Sequence, residues 1–444
     1  YDGSVIFPPG GRWGFFPSAS AGWRISKEPF FKTVNFVNDL KLRASVGKVG
    51  NDQVDPFQYA QFYNIVYGAV FDGQTFGLEP GVLANPGITW EKSLNYNAGL
   101  DAALLDNKIN FKLDVFYRHT YDILGSRGLS LPGTFGASLP DENYQEIDAK
   151  GFEVEAGYNG RIGTTKNQLS YYLRGNFAFS TNKIIQANQP ENILPYQSEI
   201  GRPVGLQSNG SSINSDADFN DDMLFGYIAT DILRTQQDLD ALPEGYTILG
   251  VDPQLGMLNY KDIRGTNSDK PDGKITTDDR EFFAKYSISS MSFGFSLGAA
   301  WRSLSIDILL QGVAGAKAML PTAGRDIQAR AEESSFRYWT ESWSPENPNA
   351  KYPGYRVSGY RTRFDPSTLF LVSNSFLRLK NVNVSYALPN SIVSRIRLKN
   401  VKVFFTGTNL LMVYTGNKIY DPEMNNILSY PMMKGYSFGL NVGL

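Results

Sequence analysis

Few residues in this chain could do covalent chemistry. There is one histidine, His119, and no cysteine. Thiol catalysis, disulfides and thiolate metal sites are therefore excluded. A histidine base needs a nucleophile within hydrogen-bond reach and a carboxylate to orient it, and the sequence offers His119 only Thr120 and Asp122 nearby. His119 reads as a polar residue near a strand end, and no catalytic residue is assigned. Gly273-Lys274 looks superficially like a phosphate loop, but Ile275 stands where Ser or Thr is required and the glycine spacing is wrong. Residues 262–281 carry more. Their alternating carboxylates lead into Asp272-Gly273-Lys274-Ile275, the pattern of a calcium loop, in which glycine permits the sharp turn and hard oxygens surround the ion. The candidate ligands are Asp269, Asp272 and Asp279. Residues 266–271 interrupt the usual spacing, so a solvated acidic turn held by its own hydrogen bonds is the competing reading. No cofactor is required, and calcium is the candidate. Asp216, Asp218, Asn220, Asp221 and Asp222 form a second acidic patch, read as a solvated loop.

The elements around these residues follow from composition and period. A net charge of −2 gives no reason to expect a nucleic-acid partner. Aromatics reach 14% while mean hydropathy is −0.28, a combination that suits alternating strands better than membrane helices. No apolar run approaches the length a transmembrane helix needs. Strands alternate throughout. Ile109, Phe111, Leu113, Val115 and Tyr117 oppose Asn110, Lys112, Asp114 and Arg118; Leu40, Leu42, Ala44 and Val46 oppose Lys41, Arg43 and Ser45. The period recurs at 19–25, 94–104, 152–158, 169–179, 291–301, 304–310, 376–388, 401–405 and 436–444, and it changes phase near Asn381, which predicts a β-bulge there.

These segments give roughly eleven strands, several long enough to cross a bilayer obliquely. Their connections alternate short (105–108, 163–167, 302–303) and long (51–93, 125–148, 186–286, 317–374). Outer-membrane barrels have short periplasmic turns and longer external loops. Two medium connections, 28–38 and 389–397, fall in the periplasmic row. Eleven strands cannot close a barrel, and open strand edges in lipid are prohibitively costly. The expectation is that residues 1–444 are the C-terminal half of a transmembrane antiparallel β-barrel, about the last 11 of 22 strands. The remaining strands must come from elsewhere, on this reading from upstream in a longer gene product. Tyr1-Asp2-Gly3-Ser4 carries no signal peptide, consistent with a start partway through that product.

At this point particular residues resemble a known family. Arg12-Trp13-Gly14-Phe15-Phe16-Pro17-Ser18-Ala19-Ser20-Ala21-Gly22-Trp23-Arg24 and Asn38-Asp39-Leu40-Lys41-Leu42-Arg43-Ala44-Ser45-Val46-Gly47 are similar to two successive strands of the SusC/RagA-like TonB-dependent outer-membrane transporters. So are Asn85-Pro86-Gly87-Ile88-Thr89-Trp90-Glu91, Lys150-Gly151-Phe152-Glu153, Ser375-Phe376-Leu377-Arg378-Leu379-Lys380-Asn381 and Gly407-Thr408-Asn409-Leu410, in the family's order. Ser437, Gly439, Val442 and Leu444 resemble the outer-membrane insertion signal, with Leu444 in place of the usual terminal aromatic. The resemblance implies a plug domain and a TonB box upstream of Tyr1, the TonB complex as energy source, outer-membrane lipid around the wall, and a SusD-like surface lipoprotein as lid.

The resemblance also frames the loop aromatics. Tyr59, Phe62, Tyr63, Tyr67 and Phe71 lie in one long loop and Trp339, Trp343, Tyr355 and Tyr360 in another. They read either as contacts for a glycan, a peptide or the lid, or as the small hydrophobic cores that large ordered loops need. The leading expectation is active import without covalent chemistry. A passive porin and an outer-membrane barrel enzyme are the alternatives. A porin would lack plug and TonB box, and an enzyme would need a catalytic constellation that one histidine does not supply.

Overall fold

Alternation fixes which way each side chain points, and hydrogen-bonded pairing aligns those alternations across neighbouring strands. The computed structural model describes residues 1–71, 73–126, 133–164, 167–189, 193–204, 225–266, 268–282, 290–320, 322–325, 336–354, 364–424, 427 and 429–443. It divides into two compact units, Tyr1–Val204 and Gly205–Leu444. In the first, β1 (Ser18–Trp23), β2 (Val37–Asn51), β3 (Glu91–Leu104), β4 (Ile109–Ser126), β5 (Asp141–Ile162) and β6 (Leu169–Gln186) pair antiparallel in chain order. In the second, β7 (Met291–Trp301), β8 (Leu304–Ala314), β9 (Phe376–Ala387), β10 (Asn400–Thr415) and β11 (Gly435–Gly443) do the same. These are the strands that the alternation marks.

Directly opposed residues share a face, so the register can be read as rows. Leu42, Leu100, Leu113, Val154 and Phe177 make one row, and Ala44, Ala98, Val115, Phe152 and Phe179 the next. On this face Leu42, Val46, Val115, Phe152 and Leu173 are exposed despite being apolar. Tyrosine pairs mark its two margins, Tyr96–Tyr117 with ring centroids 6.3 Å apart and Tyr158–Tyr171 with centroids 5.8 Å apart. The other face is charged. Arg43 donates to Asp101 (Nε, 2.8 Å) and to Asp114 (Nη2, 2.8 Å), and Lys112 pairs with Glu155 at 3.4 Å.

In the second unit Leu309 opposes Asn381 while Leu310 opposes Leu379. Lys380 is therefore the extra residue of the predicted bulge. It lets Leu379 and Val382 lie on one face although their spacing is odd.

The strands outrun the expected loop boundaries at one end. β5 has 22 residues and β4 has 18, against about 9–11 needed to cross a bilayer. Both ends of the expected loop 125–148 are paired strand, with Ser126 opposite Asp141. Beyond the membrane both faces meet water, so pairing continues without the apolar alternation that made the rest legible.

The long connections of the second unit build a core of their own. Tyr227, Ile248, Met257, Leu258, Ile275, Leu320, Phe364 and Phe370 are all buried there. A smaller cluster in the first unit joins Phe7, Ile88 and Trp90. Among the described residues no helix is long and apolar enough to cross a membrane.

Candidate functional site

Connection 52–90 of the first unit contains a hairpin, Tyr63–Phe71 with Gly73–Pro80. Tyr63 opposes Pro80, Ile65 opposes Leu78, and Tyr67 opposes Phe76, so these side chains occupy one face. Tyr63, Ile65, Tyr67, Phe76 and Leu78 are 60–73% exposed. A two-stranded hairpin is marginal by itself, and a contiguous exposed apolar face marks an interaction surface. Tyr63 and Tyr67 were legible as loop aromatics. Ile65, Phe76 and Leu78 were missed, although period-two alternation on either side of Asp72-Gly73 is a hairpin signal.

The other expected aromatics have different surroundings. Tyr59 packs against the Phe7, Ile88 and Trp90 cluster. Trp339 is 5% exposed, wedged between Tyr352, Phe364 and Phe370, and its indole N–H donates to the Gly324 carbonyl. Its area is spent on the loop core. Trp343 lies half-buried over Gly256, whose backbone has φ of 85° and where a Cβ would meet the indole ring at 2.4 Å. Only glycine satisfies both demands. Tyr355 and Tyr360 lie outside the described residues, as do the acidic residues at 216–222.

The acidic loop is organised by its own backbone. Asp279 is fully buried; its Oδ1 accepts from the Ile263 and Arg264 N–H groups (2.7 and 3.0 Å) and its Oδ2 from Thr276 N–H (2.7 Å). Burial pushes its carboxyl up, against the pull of those three donors. Asp262 accepts from Gly273 N–H at 2.7 Å, and Asp272 from Lys274 N–H at 3.0 Å. Among the described residues no group of three or more acidic or histidine side chains is arranged to hold an ion. Asp269 is placed with neither of the other two candidates in such a group.

His119 sits on the apolar-side face of β4, beyond the Tyr96–Tyr117 margin. Its Nδ1 is 2.9 Å from Asp148 Oδ1 and its ring stacks on Tyr121 at 5.4 Å. The carboxylate beside it thus comes from across the strand pair. Asp122 pairs instead with Lys92 at 2.6 Å. Thr120 faces the opposite way, its Oγ1 meeting Ser93 Oγ at 2.6 Å.

Two family-like segments acquire reasons. Arg378 is buried and pairs with Asp421 and, at 2.9 Å, with Glu423, which also takes Lys380 Nζ at 2.5 Å. The Arg378 and Lys380 pair therefore pins the connection between β10 and β11 to the wall. In the insertion-signal segment, Gly439 lies beneath the Phe404 ring, where a Cβ would come within 2.2 Å. Ser437 opposes Thr406 and Val442 opposes Val401; Leu444 lies outside the described residues.

An antiparallel wall that is apolar between two tyrosine margins and charged behind, with its long connections at one end, is the wall of a membrane-spanning β-barrel. The chain belongs to the TonB-dependent receptor-like β-barrel family, whose model matches residues 1–410, and it is an outer-membrane barrel protein of the SusC/RagA-like kind. It is 30% identical, over its full length, to TonB-dependent receptor SusC of Bacteroides thetaiotaomicron, covering 41% of that protein. It is 27% identical to TonB-dependent receptor P3 of Formosa agariphila over 99% of its own length and 43% of that receptor. The solved RagAB peptide transporter matches the whole chain with a TM-score of 0.75 at 21% identity, over 45% of the transporter chain. The chain thus spans less than half the length of the curated relatives it matches.

Proposed function

We propose that this chain forms the C-terminal part of the wall, the external loops and the docking surface of an active nutrient importer. A plug domain and a TonB box in the upstream half of the same gene product couple it to the TonB complex. A SusD-like lipoprotein closes over the loops, and the cargo is a glycan oligomer or a short peptide. The observation that carries this reading is the exposed hairpin face of Tyr63, Ile65, Tyr67, Phe76 and Leu78. Covering each such side chain is worth about 1.5–3 kcal/mol, so a protein partner seated there is strongly favoured over water. Trp343 and Tyr355 are secondary contacts in this reading. Tyr59 and Trp339 serve the loop cores that support them. For the acidic loop we propose that Asp279 acts as a buried acceptor for backbone donors; calcium held by Asp269, Asp272 and Asp279 is the alternative.

The test places a photo-reactive residue at Tyr67 of the intact transporter in cells. A cross-link to a surface lipoprotein is expected. Capture of sugar or peptide alone would make the hairpin a substrate platform, and no adduct would remove the docking surface. Uptake that persists without the TonB box would favour a passive pore.

A further inference from the structure

On its apolar-side face the first unit carries cations just beyond the membrane margin. The row above the Tyr96–Tyr117 pair reads Lys48, Leu94, His119, Asp148, Lys183, and the margin row itself includes Lys150. Lys92 opposes Tyr121 one row higher. The carboxylates facing them account for only part of this charge. Asp122 holds Lys92, and Asp148 takes His119 and, at 3.8 Å, Lys183, with Glu146 4.0 Å from the imidazole. No carboxylate pairs with Lys48 or Lys150 among the described residues. Lys48 and Lys92 both approach Tyr121, their ammonium groups 5.9 and 6.0 Å from its ring centroid.

Directly below, the same face is hollowed. Ala21, Ala44 and Ala98 form the floor of a groove of about 660 Å³, with Val115 beside them and Tyr96 and Tyr117 at its upper rim. Alanines occupy three adjacent strands of a row that steps up through Val115 to Phe152 and Phe179 on the next three.

From cations above and an open apolar groove below, we infer that the wall holds a phosphorylated, acylated glycolipid of the outer leaflet at a specific site. An acyl chain lies in the groove over Ala44 and Ala98. The phosphate meets the Lys48 ammonium group. Lys48 stands on β2 and Lys150 on β5, three strand spacings across and one row of two residues along, about 16 Å apart. A sugar headgroup reaches across that distance, whereas a single glycerol-linked phosphate does not. Lys150, the first residue of the Lys150-Gly151-Phe152-Glu153 segment, thereby gains a role at the headgroup. The orientation, with the long connections outside, is that of the barrel family.

Native mass spectrometry of the intact transporter in detergent tests this, with lipid A as the probe. One retained lipid A is expected, with at least tenfold less retention of dephosphorylated lipid A and of phosphatidylglycerol. Lys48→Gln with Lys150→Gln should cost about tenfold in retention, as should filling the groove by Ala98→Leu. Lys41→Gln with Lys112→Gln, on the charged inner face, should cost nothing. Equal retention of dephosphorylated lipid A or of phosphatidylglycerol overturns the site, as does a Lys48/Lys150 variant that keeps its lipid. The lysine variants change only surface charge, so a folding defect in Ala98→Leu leaves the charge arm of the test intact. Each arm is read without any uptake assay, so failure here leaves the import reading standing.

Discussion

Leu113→Arg is the sharpest test of the wall. Leu113 lies four residues from Tyr117 at one margin and four from Ile109, which opposes Tyr158 at the other. At about 3.3 Å per residue, that is about 13 Å along the strand in each direction. Its row neighbours are Leu100 and Val154, so no carboxylate on that face can take up an arginine. An arginine at the middle of the lipid face costs about 2–4 kcal/mol, falling to about 0–1 near the interfaces. Tyr117→Arg, one margin away and beside Lys150, is therefore the internal control. In the full-length protein, the temperature at which the folded band disappears on an unheated-sample gel, together with abundance in the outer membrane, reports the difference. Leu113→Arg should lose both and Tyr117→Arg should lose little. Equal behaviour of the two variants would mean that the register or the lipid-facing assignment is wrong.

Three further outcomes follow from the loops. Each buried N–H left without an acceptor costs about 1–3 kcal/mol, so Asp279→Ala should raise hydrogen exchange across 262–282 while the wall strands stay protected; a chelator should leave the wild type unchanged there, and faster exchange would show a bound cation. Arg378→Gln removes the cation from Asp421 and leaves Glu423 with Lys380 alone. Breaking a buried pair costs about 3–5 kcal/mol, so proteolysis of 416–424 should accelerate, and unaltered cleavage would refute the anchor. The Tyr246 hydroxyl is pushed up to about 12, mainly by burial. A raised folded pKa keeps the proton in the fold, so this contribution is intact below about pH 10 and is lost as pH climbs towards 12, by roughly 2–3 kcal/mol. Tyr246→Phe should flatten that alkaline slope in the loop body, and an unchanged slope would count against it.

What the sequence determined by itself is the wall. Wherever one face meets lipid and the other water, the two environments impose opposite chemistry on successive residues. That is why Ile109 to Tyr117 and the phase change near Lys380 could be read without coordinates. The family-like segments identified the barrel for the same reason, since they lie on or beside wall strands. Tertiary structure decided everything that depends on partners distant in sequence. Trp339 and Tyr67 look alike in a sequence, yet one is enclosed by Tyr352, Phe364 and Phe370 and the other stands in solvent on a hairpin. Asp279 looked like an ion ligand because its spacing was legible, while the backbone donors of Ile263, Arg264 and Thr276 that occupy it were not. Lys48 and Lys150 are 102 positions apart in the chain, and only strand pairing brings them to one face in adjacent rows. Local pattern records the solvent on each side of a residue; which residues then meet is set by the register of the sheet.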